Sequence, residues 1–265
     1  MTQRIYSILL LACGLTFTTT SLCAQRAHIG GFQLKKFGVS IGQDQDMLGD
    51  MSAAYFLSTA RSGSLQNDYS QLDMLPSDTY SMICENPHLR ANLTWEHQKI
   101  TNLELGTNLV LITGRIDAMQ FRSEDFQNWL SIDQFSNEIV LEPTLGWRMG
   151  RGAFHLTGII GGNLGYHWGD MSMWGNTNVC ESNVVRFRSA EASACPQQSI
   201  YDYSPTTSGL ATRVFAEAKA SFQIARRLEM GVHVRRGTGL RFAAGAATQR
   251  TTLHSGGLSM AWVLR

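Results

Sequence analysis

Leu89-Arg90-Ala91-Asn92-Leu93-Thr94-Trp95-Glu96 places an apolar and a polar side chain at alternate positions. Successive side chains that point to opposite faces have a period of two, the repeat of a β-strand with one face against an apolar medium. Outward from this stretch the same repeat returns. Leu103, Leu105, Leu109 and Leu111 oppose Glu104, Gly106 and Asn108, and Ile139, Leu141, Leu145 and Trp147 oppose Glu138, Glu142, Thr144 and Arg148. Phe154, Leu156, Ile160, Leu164, Tyr166 and Trp168 oppose His155, Thr157, Gly161, Asn163 and Gly165. Leu210, Val214, Ala216, Ala218 and Phe222 oppose Arg213, Glu217, Lys219 and Ser221, and Leu228, Met230, Val232 and Val234 oppose Glu229, Gly231, His233 and Arg235. Leu258, Met260, Trp262 and Leu264 close the chain against Gly257, Ser259 and Ala261, and Phe37, Val39 and Ile41 open it against Gly38, Ser40 and Gly42. Eight strands are predicted.

Their connections alternate in length. Residues 98–102, 150–152 and 225–227 read as tight turns, 44–87, 115–137 and 169–208 as long loops, and 237–253 as intermediate and mostly extended. Tight turns then lie at one end of an antiparallel sheet and long loops at the other. Trp95, Trp147 and Phe222 each stand three residues before a tight turn, and Trp262 three before the chain end. With Phe37 and Phe154 they predict an aromatic ring at one height, and Tyr166 and Trp168 mark the other end, as girdles at two lipid interfaces require.

Composition narrows the class. The 265 residues hold 22 Lys+Arg against 21 Asp+Glu, only 16% charged residues, and 25 Gly against 5 Pro. So balanced a charge offers no field for nucleic acid, and no block of Pro, Ser or charge divides the chain into domains. After the first segment no apolar run reaches the ~18 residues of a membrane helix. A soluble lipocalin-type barrel would turn the apolar face inward. The polar face is instead rich in Gly, Ser, Thr and Asn, small groups suited to a crowded interior, and an aromatic ring has no purpose in a soluble core. Pro143, mid-strand on the apolar face, breaks a ladder bond unless a bulge absorbs it.

At the N-terminus, Arg4 precedes an apolar core over 8–15, and Ser21-Leu22-Cys23-Ala24 before Gln25 reads as a cleavage site. Residues 1–24 are read as a signal peptide and 25–265 as a single domain. Export leaves Cys84, Cys180 and Cys195 where disulfides persist. Cys180 and Cys195 share one polar stretch and are paired in this reading, with Cys84 free. No CxxC spacing supports a metal or redox site, and no cofactor is expected.

Leader, eight alternating strands, three tight turns, long loops and a terminal strand over 254–265 resemble the small OmpA/OmpX-type outer-membrane barrels. The resemblance covers nearly the whole mature chain, is architectural rather than motif-based, and implies a place in the bacterial outer membrane with lipid around the wall. It departs where the chain ends in Arg265 instead of an aromatic residue, and Trp262 stands in for the assembly signal.

Function is then sought in the lumen and the loops. An inward polar face collects Lys36, Arg90, Arg148, Arg213, Lys219 and Arg235 with Glu96, Glu104, Glu138, Glu142, Glu217 and Glu229. Eight strands leave room only for side chains, so these ions are expected to pair and occlude the lumen. A narrow pore, or a proton path through His155, His167 and His233, is the alternative. An outer-membrane enzyme acting on lipid, of the lipid A deacylase or acyltransferase kind, is weighed at His254-Ser255, but adjacent strand residues face opposite ways and form no dyad. Met171, Met173, Trp174, Tyr201 and Tyr203 in one loop, and Met47, Met51, Tyr55, Phe56, Tyr69 and Tyr80 in another, are recognition-type residues. A short helix is predicted over 52–60. The expectation is a structural or accessory barrel, not an enzyme, that binds a protein partner in the envelope or at the cell surface through its loops.

Overall fold

Period-two alternation becomes strand only where each strand finds partners on both sides, and here the ring closes. The computed structural model describes residues 28–48, 58–61, 82–83, 86–122, 129–179, 185–186 and 196–264. Eight long strands form the wall: β1 Phe32–Leu48, β2 Asn86–His97, β3 Leu103–Arg122, β4 Trp129–Arg151, β5 Phe154–Val179, β6 Gly209–Ala225, β7 Leu228–Ala243 and β8 Gln249–Val263. Each is antiparallel to its sequence neighbour, and β8 pairs with β1. Met260 opposes Val39, Val39 opposes Ala91, and the row continues through Leu109, Leu141, Leu164, Thr212 and Leu240 to Arg250, ten residues from its start on β8. Such a stagger tilts the strands by roughly 40° and leaves an interior that side chains fill.

The apolar set faces out. Leu109, Leu141, Ile160, Val214, Val232 and Leu258 are each more than half exposed, an arrangement only lipid makes favourable. The wall is not uniform. Phe37 opposes Trp262 and Phe154 opposes Phe222 at the tight-turn end, where Trp147 is also exposed, and Tyr166 stacks on Trp168 at 5.9 Å toward the other. Trp95 departs from the girdle reading: it is 7% exposed, because a register shift between Leu34 and Lys36 turns Leu34 onto it, with Phe32, Leu93, Leu105 and Leu264 around the pair. Pro143 needs no bulge. Leu141 opposes Leu164 and Thr144 opposes Gly161 in one register, with the pairs between them missing from the ladder.

The predicted long loops at 115–137 and 169–208 are largely strand. β3 runs on to Arg122, β4 starts at Trp129, β5 continues to Val179, and Gln197–Pro205 pairs with Asp170–Asn178 above the start of β6. A bulge in β3 hides this continuation, since the register shifts between Ile112 and Arg115 and Gly114 takes a left-handed φ of 69°. An extra residue reverses which parity faces in, so a strict two-residue repeat ends there without the strand ending. Residues 237–253 are extended apart from the turn after Ala243, and His28–Ile29, Met82–Ile83 and Val185–Arg186 are short additions. Of the predicted 52–60 helix only Ser58 and Thr59 are described as helical, beside the bridge of Ala60 to Thr206. The leader, Cys84, Cys180, Cys195, Met51, Tyr55, Phe56, Tyr69 and Tyr80 lie outside the described residues.

Candidate functional site

The polar parity of every wall strand converges on the axis, and the charges sort into layers. Nearest the tight turns, Lys36 lies 3.1 Å from Glu104 and 3.3 Å from Glu229, and Arg148 contacts Glu104 at 3.4 Å and Glu229 at 3.1 Å. Glu96 stands at the mouth, 3.6 Å from Arg148, and Lys219 reaches Glu229 at 3.9 Å. Above them Arg235 donates to Glu142 at 2.7 and 3.1 Å and to Glu217 at 2.8 and 3.0 Å, with its guanidinium 3.8 Å over the Phe215 ring. Arg90 closes this ring on Glu217 at 3.2 Å and Glu142 at 3.7 Å. Higher still, Arg213 grips Glu138 with two bonds of 2.7 and 2.9 Å.

An isolated ion taken out of water costs several kcal/mol, so buried charges persist only where partners and hydrogen bonds surround them. Bidentate Arg–carboxylate pairs supply both, since the guanidinium fork matches the carboxylate edge. Small residues on the same face make the room. A β-carbon at Gly161 would stand 2.6 Å from the Phe215 ring edge, and one at Gly165 would land on Glu138 Oε1.

Five inward groups lie outside the charge set read from alternation. Asp44 sits 3.1 Å from His88, and above the β3 bulge Asp117 accepts from Arg115 at 2.9 and 3.1 Å and from Arg241 at 3.3 Å. Alternation does place Asp44 on the polar parity of β1 and His88 on that of β2. Arg115 and Asp117 were hidden by the parity change, and Arg241 by the intermediate connection.

The ionic layers leave little free space in the interior. A cavity of about 60 Å³ opens among Lys36, Arg90, Glu104, Glu217, Glu229 and His233, and only about 10 Å³ lies among Glu142, Asn163, Arg213 and Arg235, room for one water at most. Beyond the Arg241 layer the inward face turns apolar. Met119 opposes Ile132 and Ile132 opposes Met173, with Leu130 and Met171 beside them, and none is more than 1% exposed. Met171 and Met173 therefore offer no surface for recognition: β5 continues the inward parity, and both side chains are buried. The histidines form no chain. His155 stands beside the tight turns, opposite Ser221, His167 bonds the Phe242 carbonyl at 3.2 Å near the far end, and His233 lies between, 6.1 Å ring to ring from His88. His254 faces out and Ser255 in.

Outward, the extended sheet carries Trp129, Asp133, Asp170, Trp174, Tyr201 and Tyr203. Tyr201 is 76% and Tyr203 52% exposed, and both lie on Gln197–Pro205, where Trp174 opposes Tyr201. Trp129 meets Trp174 edge to face at 4.7 Å, and the Trp174 indole donates to Asp133. The Tyr203 hydroxyl bonds Asp170, whose carboxylate holds the phenol above its ordinary pKa. Trp129 lies outside the recognition residues expected from the sequence, because it stands on a stretch of β4 that alternation alone leaves as loop.

No family model matches the sequence, and no curated protein does. Among solved structures, the attachment invasion locus protein Ail of Yersinia pestis is similar at TM-score 0.35 and 10% identity, over 86% of this chain and 98% of that one. Neisserial surface protein A aligns at TM-score 0.36 and 7% identity over 89% and 98%, and OprG of Pseudomonas aeruginosa at 0.35 and 11% over 89% and 99%. Closure of the ring, its outward apolar belt and its ion-paired interior carry the assignment. The chain is an eight-stranded antiparallel transmembrane β-barrel, with the architecture of the small OmpA/OmpX-type barrels.

Proposed function

We propose that the barrel is a closed scaffold that presents its extended outer sheet to a protein partner in the envelope or at the cell surface. The observation that carries this reading is the contrast between a lumen filled by ion pairs and the exposed row of Trp174, Tyr201 and Tyr203 on a hydrogen-bonded sheet beyond the lipid belt. Tyr and Trp bury large rigid area at little entropic cost, and Asp133 and Asp170 add polar anchors for their neighbours. This reading assigns no catalytic step to the chain. It is tested by purifying the protein from native membranes and comparing what co-elutes with the Trp174→Ala, Tyr201→Ala double variant. Loss of a stoichiometric partner supports the reading. Unchanged co-elution, or an ion conductance or acyl-hydrolysing activity of the pure barrel, overturns it.

A further inference from the structure

The apolar belt is notched on one side. A strand tilted by about 40° climbs roughly 2.5 Å per residue. On β5 the outward aromatics Phe154 and Trp168 are fourteen residues apart, which makes an apolar wall about 35 Å high. On β7 the outward apolar run Leu228, Met230, Val232, Val234 is interrupted after about 15 Å by Arg236 and Thr238, and it resumes at Leu240 and Phe242. Arg236 opposes His254, and His254 opposes Gln45, with Gln43 one outward step below on β1. Arg236, Gln43 and Gln45 are exposed and His254 half-buried on the outer surface.

Depth makes this row costly. An outward arginine costs roughly 2 to 4 kcal/mol near the bilayer midplane and little near the interface. Inside the barrel Arg90, Arg213 and Arg235 each have a carboxylate, but on the outer parity of β6, β7, β8 and β1 no described residue is acidic, and Arg236 has no ion-pair partner among the described residues. Arg236 lies on the outward parity between Ala216 and His254, and neither these nor Gln43 and Gln45 bring an acidic group to it.

We propose that this notch is a binding site for the anionic phosphate monoester of a membrane-lipid headgroup, held by Arg236 and His254 and flanked by Gln43 and Gln45. The guanidinium fork takes two phosphate oxygens, imidazole and amide donors serve the rest, and the headgroup supplies the countercharge that the wall lacks. The site is independent of the extended outer sheet and its partner.

The test uses the full barrel in phosphatidylcholine nanodiscs doped with bis-phosphorylated lipid A, with bound lipid counted by native mass spectrometry. Arg236→Gln with His254→Gln is expected to weaken lipid A binding about ten-fold, the loss of a charged bidentate contact. Arg61→Gln, which removes an exposed charge from the segment after the helical turn, is expected to leave it unchanged, and dephosphorylated lipid A to bind the wild type as weakly as the double variant binds the intact lipid. If the double variant does not form a barrel, Arg236→Lys replaces it and should weaken binding a few-fold. Equal binding by either notch variant, equal binding of dephosphorylated lipid, an equal loss in Arg61→Gln, or full displacement by millimolar inorganic phosphate would each overturn the proposal. The last outcome would assign the site to free phosphate.

Discussion

Gly165 leaves the space that the Glu138 carboxylate occupies, so that a backbone without a side chain on β5 fixes the position of an ion pair between β4 and β6. The pair is 2% exposed at both ends, so neither charge has water to fall back on.

Gly165→Ala is therefore expected to push Glu138 off Arg213 and to destabilise the barrel by about 2 to 4 kcal/mol, somewhat less than outright removal of one partner of a buried pair. Urea titration in lipid vesicles measures it. A change below about 0.5 kcal/mol, within the range of an ordinary surface substitution, would show that the pair does not depend on the missing side chain.

Conductance is expected to be absent. The wild-type barrel in a planar bilayer is expected to be silent, and so is an Arg235→Ala, Glu142→Ala variant, since the Arg213–Glu138 pair and the buried Met119, Ile132 and Met173 row remain above the deleted pair. Adding Ile132→Ser and Met173→Ser should produce open events. Conductance in the first double variant would place the whole seal in the charges.

Burial separates Met171 and Met173 from the exposed Trp174, Tyr201 and Tyr203. Met173→Ala is expected to cost roughly 2 to 4 kcal/mol, the usual range for emptying a core methionine, and to leave partner binding intact. Tyr201→Ala should leave the unfolding midpoint within about 0.5 kcal/mol of wild type and weaken the partner. Reversed roles would mean that the outer sheet folds over in the complex.

Leu141→Arg and Val214→Arg sit in the lipid belt and are expected to cost roughly 2 to 4 kcal/mol each, whereas Tyr201→Arg beyond it costs little. Folding titrations into vesicles compare the three. Equal costs would contradict the placement of the belt.

Leu89 to Glu96 already shows the period of two, and that local property depends only on which side chains alternate. It sufficed for eight strands, for the short turns that make them antiparallel, and for the charged groups from Lys36 to Arg235 that share the polar parity. Tertiary structure decided the rest, because it depends on which strands meet. Closure of β8 on β1 put the polar parity inside. One bulge at Gly114 reversed that parity and brought Arg115 and Asp117 to Arg241, and continuation of β5 buried Met171 and Met173 on its inner face while leaving Trp174 in the open. The shift at Leu34 covered Trp95, and the register of β7 on β8 set Arg236 beside His254 on the outer side. A two-residue repeat records the face of a side chain but neither its height nor its neighbour across the barrel, and those follow only from register.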